Sequence, residues 1–426
     1  MIVILGAGLT GLSCAYHLGD TEYRLYEAEA RPGGLCRSRD VRGFTFDCTG
    51  HLLHLRDEYV KRLILEEMLP GVFASHPRRA SIYAMGRFAP YPFQANFYGM
   101  PREVVRDCLL GFLRAAPNET PASFEEWALA TFGEGIYKYF LQPYNEKLWR
   151  VPLDQLTHDW CSWSVPRPSL EQIVDGAVGF VNRNMGYNAA FHYPKRGGIE
   201  VLPAAFARRC HHLATGHRAV SVDVRKRLVR FASGEEVRYD RLVSTLPLDD
   251  LLANAAGGPD EWHSMAAKLK RVSILALNLG VQGHFWGRRQ WVYFPEPDFP
   301  FYRIGVASNF ESTLAPDGCS NLYVEVSLDN PHVDPEPIVK RCLEKLRWLG
   351  LRGRILVKDT LIIPCAYVVY DRVRQEVVPR ALAQLREREI LSTGRYGAWQ
   401  YSYMERAILE GREAARWCVD RDGPFK

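Results

Sequence analysis

Ile2-Val3-Ile4-Leu5-Gly6-Ala7-Gly8-Leu9-Thr10-Gly11 opens the chain with four aliphatic residues and three glycines spaced GxGxxG; Leu12, Ala15, Tyr16 and Leu18 follow at helical spacing. A strand-length apolar run feeding a glycine turn and then a helix is the context in which this spacing reads as a dinucleotide-binding unit. Gly6 permits the tight turn, Gly8 lets the backbone approach a pyrophosphate, and Gly11 lets the helix pack closely on the strand. Leu9 and Thr10 then belong to the first helical turn, whose amides face the phosphates. The next strand, Tyr23-Arg24-Leu25-Tyr26, ends at Glu27, and 27 minus 6 places that acid 21 residues on, at ribose-binding distance.

Around this unit the chain has 426 residues, room for about three domains at roughly 150 residues each. Hydrophobic residues at 47% and charged ones at 24% fit a folded globular protein and exclude disorder, coiled coil and collagen. Against 49 acids stand 54 Lys and Arg, an excess of +5 spread too evenly for a nucleic-acid-binding surface. The densest basic run, Arg225-Lys226-Arg227, reads as a solvated hairpin tip. None of the ten cysteines falls in CxxC, so no metal site and no dithiol pair is expected, and scattered thiols fit a reducing cytoplasm. No apolar run reaches the roughly 18 residues of a membrane span, and the start lacks the pattern of a signal peptide. A cytoplasmic protein without membrane segments is expected.

The texture changes along the chain. Residues 95–190 are rich in helix formers, aromatics and prolines; 216–245 read as a β-meander; 271–330 carry further strands at Ser273–Leu279, Trp291–Phe294 and Leu322–Val326; and Glu405–Val419 reads as a closing helix.

Directly after Glu27 comes Ala28-Glu29-Ala30-Arg31-Pro32-Gly33-Gly34-Leu35-Cys36-Arg37-Ser38, and here the chain resembles the FAD-containing amine oxidase and protoporphyrinogen oxidase superfamily. The resemblance implies FAD, with Gly33, Gly34 and Arg37 along its pyrophosphate, Ala28 and Leu35 beside them, and Val220 in the strand that meets the adenine. Arg196-Gly197-Gly198-Ile199-Glu200 and Val243-Ser244-Thr245-Leu246-Pro247 resemble further superfamily elements. The expected fold is α/β, a Rossmann-like FAD-binding domain of the GR2 type interleaved with a helical domain and a second, mainly antiparallel β-sheet domain. The expected segments are 1–90, 195–255 and 355–426 for FAD, 91–194 for the helical nucleotide-sugar domain, and 256–354 for the sheet.

Four further segments resemble the UDP-galactopyranose mutase family. Tyr91-Pro92-Phe93-Gln94-Ala95-Asn96 matches a YPFQxN element, which implies that Phe93 and Gln94 bind uracil; a ring can stack on a base and an amide can pair with its edge. Pro143-Tyr144-Asn145-Glu146-Lys147-Leu148-Trp149 matches PYNxKxW and implies Tyr144, Asn145 and Trp149 in the nucleotide-sugar pocket. Trp291-Val292-Tyr293-Phe294, continuing to Phe301-Tyr302-Arg303, implies Tyr293 at the substrate and Arg303 on its diphosphate. A guanidinium suits phosphate through its planar fork and permanent charge. Gly394-Arg395-Tyr396-Gly397-Ala398-Trp399-Gln400-Tyr401, with Tyr367 upstream, implies two phenols on the diphosphate and Gly394, Arg395 and Tyr401 beside the flavin. His51 matches a histidine that sits against the flavin ring, with Thr49 where the family has glycine.

The implied function is a flavin-dependent pyranose/furanose mutase, with reduced FAD as the nucleophile at the anomeric carbon of a UDP-sugar. One departure stands out: after Trp160, Ser164 replaces the arginine that the family places on the diphosphate. Arg150 and Arg167 are the nearby cations that could take its place. Two other readings stay open, an FAD-dependent oxidase or dehydrogenase of the amine oxidase superfamily and a catalytically impaired nucleotide-sugar-binding flavoprotein. Oligomerisation with further copies is compatible with any of them.

Overall fold

The structure is a computed structural model that describes residues 1–420 apart from 162–164, 183–184 and 187–188. Its first sheet is parallel and five-stranded, in the order Ile390–Ser392, Arg241–Ser244, Ile2–Leu5, Tyr23–Tyr26, Leu213–Ala214. Ile2–Leu5 is buried along its whole length because it runs between two parallel neighbours, with Ile4 opposite Val243 and Leu25. A continuous aliphatic run is what such a position demands, since helices cover both faces of a parallel sheet. One cover is the helix Leu9–Leu18, on which the last helix, Met404–Val419, packs so closely that Ser13 Oγ donates to Ile408 O at 2.7 Å. A smaller sheet, Glu236–Arg238, Leu228–Phe231, Ala219–Asp223 and Ala255–Ala256, contains the meander, with Arg225-Lys226-Arg227 at its turn.

The third sheet has seven strands and positions the site. Its order is Ile355–Val368, Arg271–Gln282, Cys319–Leu328, Arg303–Val306, Trp291–Tyr293, Ala80–Ala84, Arg87–Pro90, antiparallel except where Trp291–Tyr293 meets Ala80–Ala84. Side chains alternate between its faces, as the period of a strand requires. Leu275, Leu277 and Leu279 of one strand, Leu322, Val324 and Val326 of the next, and Ile304 and Val306 of the third pack with Val339, Cys342 and Leu346 of the helix Glu336–Trp348. The intervening residues Ile274, Tyr323, Glu325 and Arg303, joined by Trp291 and Tyr293, therefore face the other way, into a cavity.

Here the structure departs from the expected segmentation. Residues 80–90 and 355–368, assigned above to the FAD-binding portion, hydrogen-bond into the antiparallel sheet. The helical block holds Arg102–Arg114, Phe124–Ile136, Gln142–Trp149 and Leu170–Val178, and ends on the strand Ala190–Pro194. No described helix is long and apolar enough to cross a membrane, and all ten thiols are free.

Candidate active site

The glycine turn forms one end of the site. Gly6 adopts φ +93°, and a Cβ there would stand 2.2 Å from Thr245 Oγ1. A Cβ on Gly11 would stand 2.0 Å from Gly6 O, so the third glycine is what lets the helix lie on the turn. The second pair folds over the first: Gly33 N donates to Ala7 O at 2.8 Å, and a Cβ on Gly34 would approach Gly8 Cα to 3.2 Å. Arg37 Nε ties this loop by donating to Gly34 O at 2.9 Å. Gly8 gives no side-chain cap, which leaves the amides of the first turn, around Leu9 and Thr10, available to an anion. Glu27 closes this end; its carboxylate accepts from Ala7 N at 2.8 Å and Glu29 N at 2.9 Å. The backbone of His217 donates to Glu27 O, bringing the following strand beside Ala28; Val220, 40% exposed, sits at a bulge in that strand.

From the turn runs a cavity of about 440 Å³. Gly6, Gly8, Leu9, Thr10, Glu27, Gly33, Gly34 and Leu35 line one part, and His51, Tyr293, Arg303, Tyr367, Gly394, Arg395 and Tyr401 line the rest. The sheet sets Arg303 directly opposite Glu325, and the pair is bidentate, Nε and Nη2 each donating at 2.8 Å. Glu325 is fully buried, and ion pairing across the strands fixes the guanidinium in the cavity wall. The rings of Tyr367 and Tyr401 stack with centroids 6.0 Å apart, and burial pushes the Tyr401 phenol up to about 12, so it donates as a neutral group. His51 donates from Nδ1 to Thr49 O at 3.2 Å; burial lowers its pKa to about 4, leaving a neutral ring with Nε2 as acceptor.

Phe93, Gln94, Tyr144, Asn145 and Trp149 stand behind this wall rather than in it. Phe93 stacks on Phe140, Phe140 on Tyr144, and Tyr144 meets Tyr293 edge-on at 5.6 Å; Trp149 meets Tyr367 at 5.7 Å. Gln94 Nε2 donates to Pro166 O and Asn145 Nδ2 to Leu141 O, while Gln94 Oε1 and Trp149 Nε1 are buried without a partner among the described residues. Arg150 lies at the surface in a bidentate pair with Asp329, and Arg167 is exposed over the Trp127 ring. Neither lines the cavity, and Ser164 lies outside the described residues.

Several groups that shape the site have no role assigned to them by the motifs above. Glu325 becomes visible only through strand alternation with Tyr323. Tyr302 lines the cavity with its hydroxyl beside the Glu325 carboxylate. Lys147, one turn after Tyr144, donates to the carbonyls of Phe294 at 2.8 Å, Glu296, and Phe301, pinning the loop between Tyr293 and Arg303. Asp47, beneath the His51 loop, accepts from Ser38 Oγ at 2.6 Å, Tyr193 OH at 2.6 Å and Ile199 N at 3.1 Å, yet burial raises its pKa to about 6. The folded protein thus holds a proton there that the unfolded chain releases near 3.8, and the stability this gives at low pH is lost as pH rises through about 6. Asp47→Asn is expected to flatten the thermal midpoint between pH 4 and 7 and to add about 2 kcal/mol near pH 8; midpoints of both proteins across that range check it.

The site accommodates a dinucleotide: the glycine cradle would be filled by any Cβ at Gly6 or Gly34, and Ser402 Oγ is a buried polar atom on the cavity with no partner among the described residues. Residues 9–418 match the family of flavin-containing amine oxidoreductases, and the chain belongs to that family, with FAD as its cofactor. Within it the protein is UDP-galactopyranose mutase-like. The structure of a reduced UDP-galactopyranose mutase superposes with a TM-score of 0.93 at 32% identity, covering 98% of this chain and 93% of that one. The cyclohexylamine oxidase of Brevibacterium oxydans, at 14% identity, TM-score 0.68 and 98% coverage of both chains, shares the fold. A ζ-carotene-forming phytoene desaturase of Myxococcus xanthus is 23% identical over 401 residues, 78% of this chain and 73% of its own.

Proposed function

We propose that the protein is a flavin-dependent pyranose/furanose mutase acting on a UDP-sugar. The observation that carries this reading is that Arg303, Tyr367 and Tyr401 share one cavity with the glycine turn. Reduced FAD, when bound, supplies a nucleophile to the anomeric carbon. The work left to the protein is to hold the departing diphosphate, which requires donors fixed in place before reaction. Arg303 is fixed by Glu325 through two of its nitrogens, which leaves Nη1 for a phosphate oxygen. Tyr401 and Tyr367 donate without adding charge. Gln94 and Trp149 lie behind the wall that Tyr293 and Tyr367 form, and their buried polar atoms, unpartnered among the described residues, suit a base once that wall parts.

The test reduces the FAD-loaded protein with dithionite and supplies a panel of UDP-sugars, UDP-galactopyranose first, with products separated chromatographically. Interconversion by the reduced protein, none by the oxidised protein and no consumption of oxidant are expected. A flavin bleached by substrate and restored by oxygen, with an oxidised product, overturns the reading in favour of an oxidase. UDP binding without turnover of any sugar overturns it in favour of an inactive nucleotide-sugar-binding protein.

A further inference from the structure

The even spread of charge expected above breaks down at one end of the antiparallel sheet. Residues 340–354 carry six Lys and Arg against the single acid Glu344, a net +5 that equals the excess of the whole chain. Arg288 and Arg289 add two cations from the loop that follows the strand Arg271–Gln282. The fold brings the two stretches together. Gln282 N donates to Arg354 O at 2.9 Å, Trp286 Nε1 donates to Leu349 O, and a Cβ on Gly353 would stand 1.8 Å from Gln282 O.

The helix Glu336–Trp348 gathers these charges on one stripe. Val339, Cys342 and Leu346 are buried on the sheet, and the helical period therefore turns Lys340, Arg341, Glu344, Arg347 and Trp348 to solvent. Among the described residues, none of the exposed cations Arg288, Lys340, Arg341, Arg347, Arg352 and Arg354 has a carboxylate within ion-pair distance, whereas Lys358, just beyond, pairs with Glu336. Three exposed acids adjoin them, Glu344 in the stripe, Asp298 next to Phe299 and Asp317 beside the Gly318 carbonyl that accepts from Gly283 N, and they leave a clear positive surplus. Trp348 stands in this field 65% exposed, its ring resting on Tyr83 at 6.3 Å and Phe299 at 6.0 Å, with Lys345 Nζ 5.4 Å from the Phe299 ring. Like charges held this close repel one another, and an anionic partner relieves that repulsion.

We propose that this end of the protein docks on an anionic phospholipid surface, with the basic stripe over the headgroups and Trp348 at the interface. A cluster of four to eight Lys and Arg on an amphipathic helix is the arrangement that attracts acidic headgroups. An exposed indole among them combines an apolar body with an N–H donor, which suits the boundary between headgroups and acyl chains. The same charge would attract a nucleic acid, but a lone exposed ring offers no succession of stacking platforms for a single strand. No described helix is long and apolar enough to span a bilayer, and docking of this kind needs none. The helix covers the sheet face that carries Leu277 and Val324, while Arg303 and Glu325 face the cavity, so docking and the cavity use opposite faces of one sheet. The inference stands whatever substrate the cavity takes.

The experiment sediments the FAD-loaded protein with vesicles of phosphatidylcholine alone and of an equal mixture of phosphatidylcholine and phosphatidylglycerol, at low and high salt. Binding to the mixed vesicles only, weakened by salt as exposed charge requires, is expected. Arg352→Gln/Arg354→Gln should bind them roughly 25-fold more weakly, about fivefold for each cation removed, and Trp348→Ala should also bind more weakly. Flavin content and thermal midpoints establish that each variant is loaded and folded. Arg225→Gln/Lys226→Gln/Arg227→Gln, which removes more charge from the hairpin tip, should bind like wild type. Failure of wild type to bind the mixed vesicles overturns the proposal, and so does wild-type affinity in either patch variant. An equal loss in the hairpin-tip variant also overturns it, because net charge alone would then explain binding. So does a single-stranded oligonucleotide that binds more tightly than the mixed vesicles and displaces the protein from them, which would assign the patch to a nucleic acid.

Discussion

Arg303→Ala is expected to lower kcat/KM for the UDP-sugar by roughly 10²- to 10³-fold, the usual loss when one fixed donor to a developing anion is removed. It should also destabilise the fold by about 3–5 kcal/mol, because Glu325 is fully buried and its carboxylate would lose both charge-assisted hydrogen bonds. The two effects separate in the double variant Arg303→Met/Glu325→Leu, which removes both charges and should regain most of the stability while remaining inactive. Thermal midpoints and steady-state kinetics of the single and double variants check this. A single variant that keeps near wild-type kcat/KM would show that Arg303 is only a structural ion pair.

Gly11→Ala should yield a protein largely free of flavin. A Cβ at this position would stand 2.0 Å from Gly6 O and 3.5 Å from Ile4 Cγ2, so the helix Leu9–Leu18 must lift from the turn. Overpacking of this kind costs about 1–3 kcal/mol in stability, and the shift moves the first-turn amides out of phosphate range. FAD affinity is expected to fall by roughly 100-fold or more, about 3 kcal/mol. Visible absorbance of the purified protein and its titration with FAD measure the change; a yellow variant with wild-type affinity would place the cofactor elsewhere.

Local pattern carried the parts of this fold that are local. Ile2 to Glu27 is legible because each glycine and the acid sit at spacings fixed by one strand, one turn and one helix, and the structure places them so. The strands at Ser273–Leu279, Trp291–Phe294 and Leu322–Val326 follow from their aliphatic and aromatic content, whereas the pairing that sets Arg303 opposite Glu325 does not. Register between strands is set by side chains that meet only once the sheet exists. For the same reason nothing in residues 80–90 or 355–368 announced their place in the antiparallel sheet, where Val272 pairs with Tyr367. Arg150 and Arg167 stand near matching motifs in the sequence but turn to Asp329 and Trp127 in space. Lys147, inside PYNxKxW, holds three carbonyls of a loop about 150 residues away, a role that its own helix cannot show.

The most direct test of the account is a crystal structure of the FAD-loaded, dithionite-reduced protein soaked with UDP. The diphosphate is predicted within hydrogen-bond reach of Arg303, Tyr367 and Tyr401, beside the isoalloxazine, with uracil toward Gln94 and Trp149. UDP bound away from those three side chains, or a pocket behind Tyr293 that stays filled by protein at saturating UDP, would contradict it.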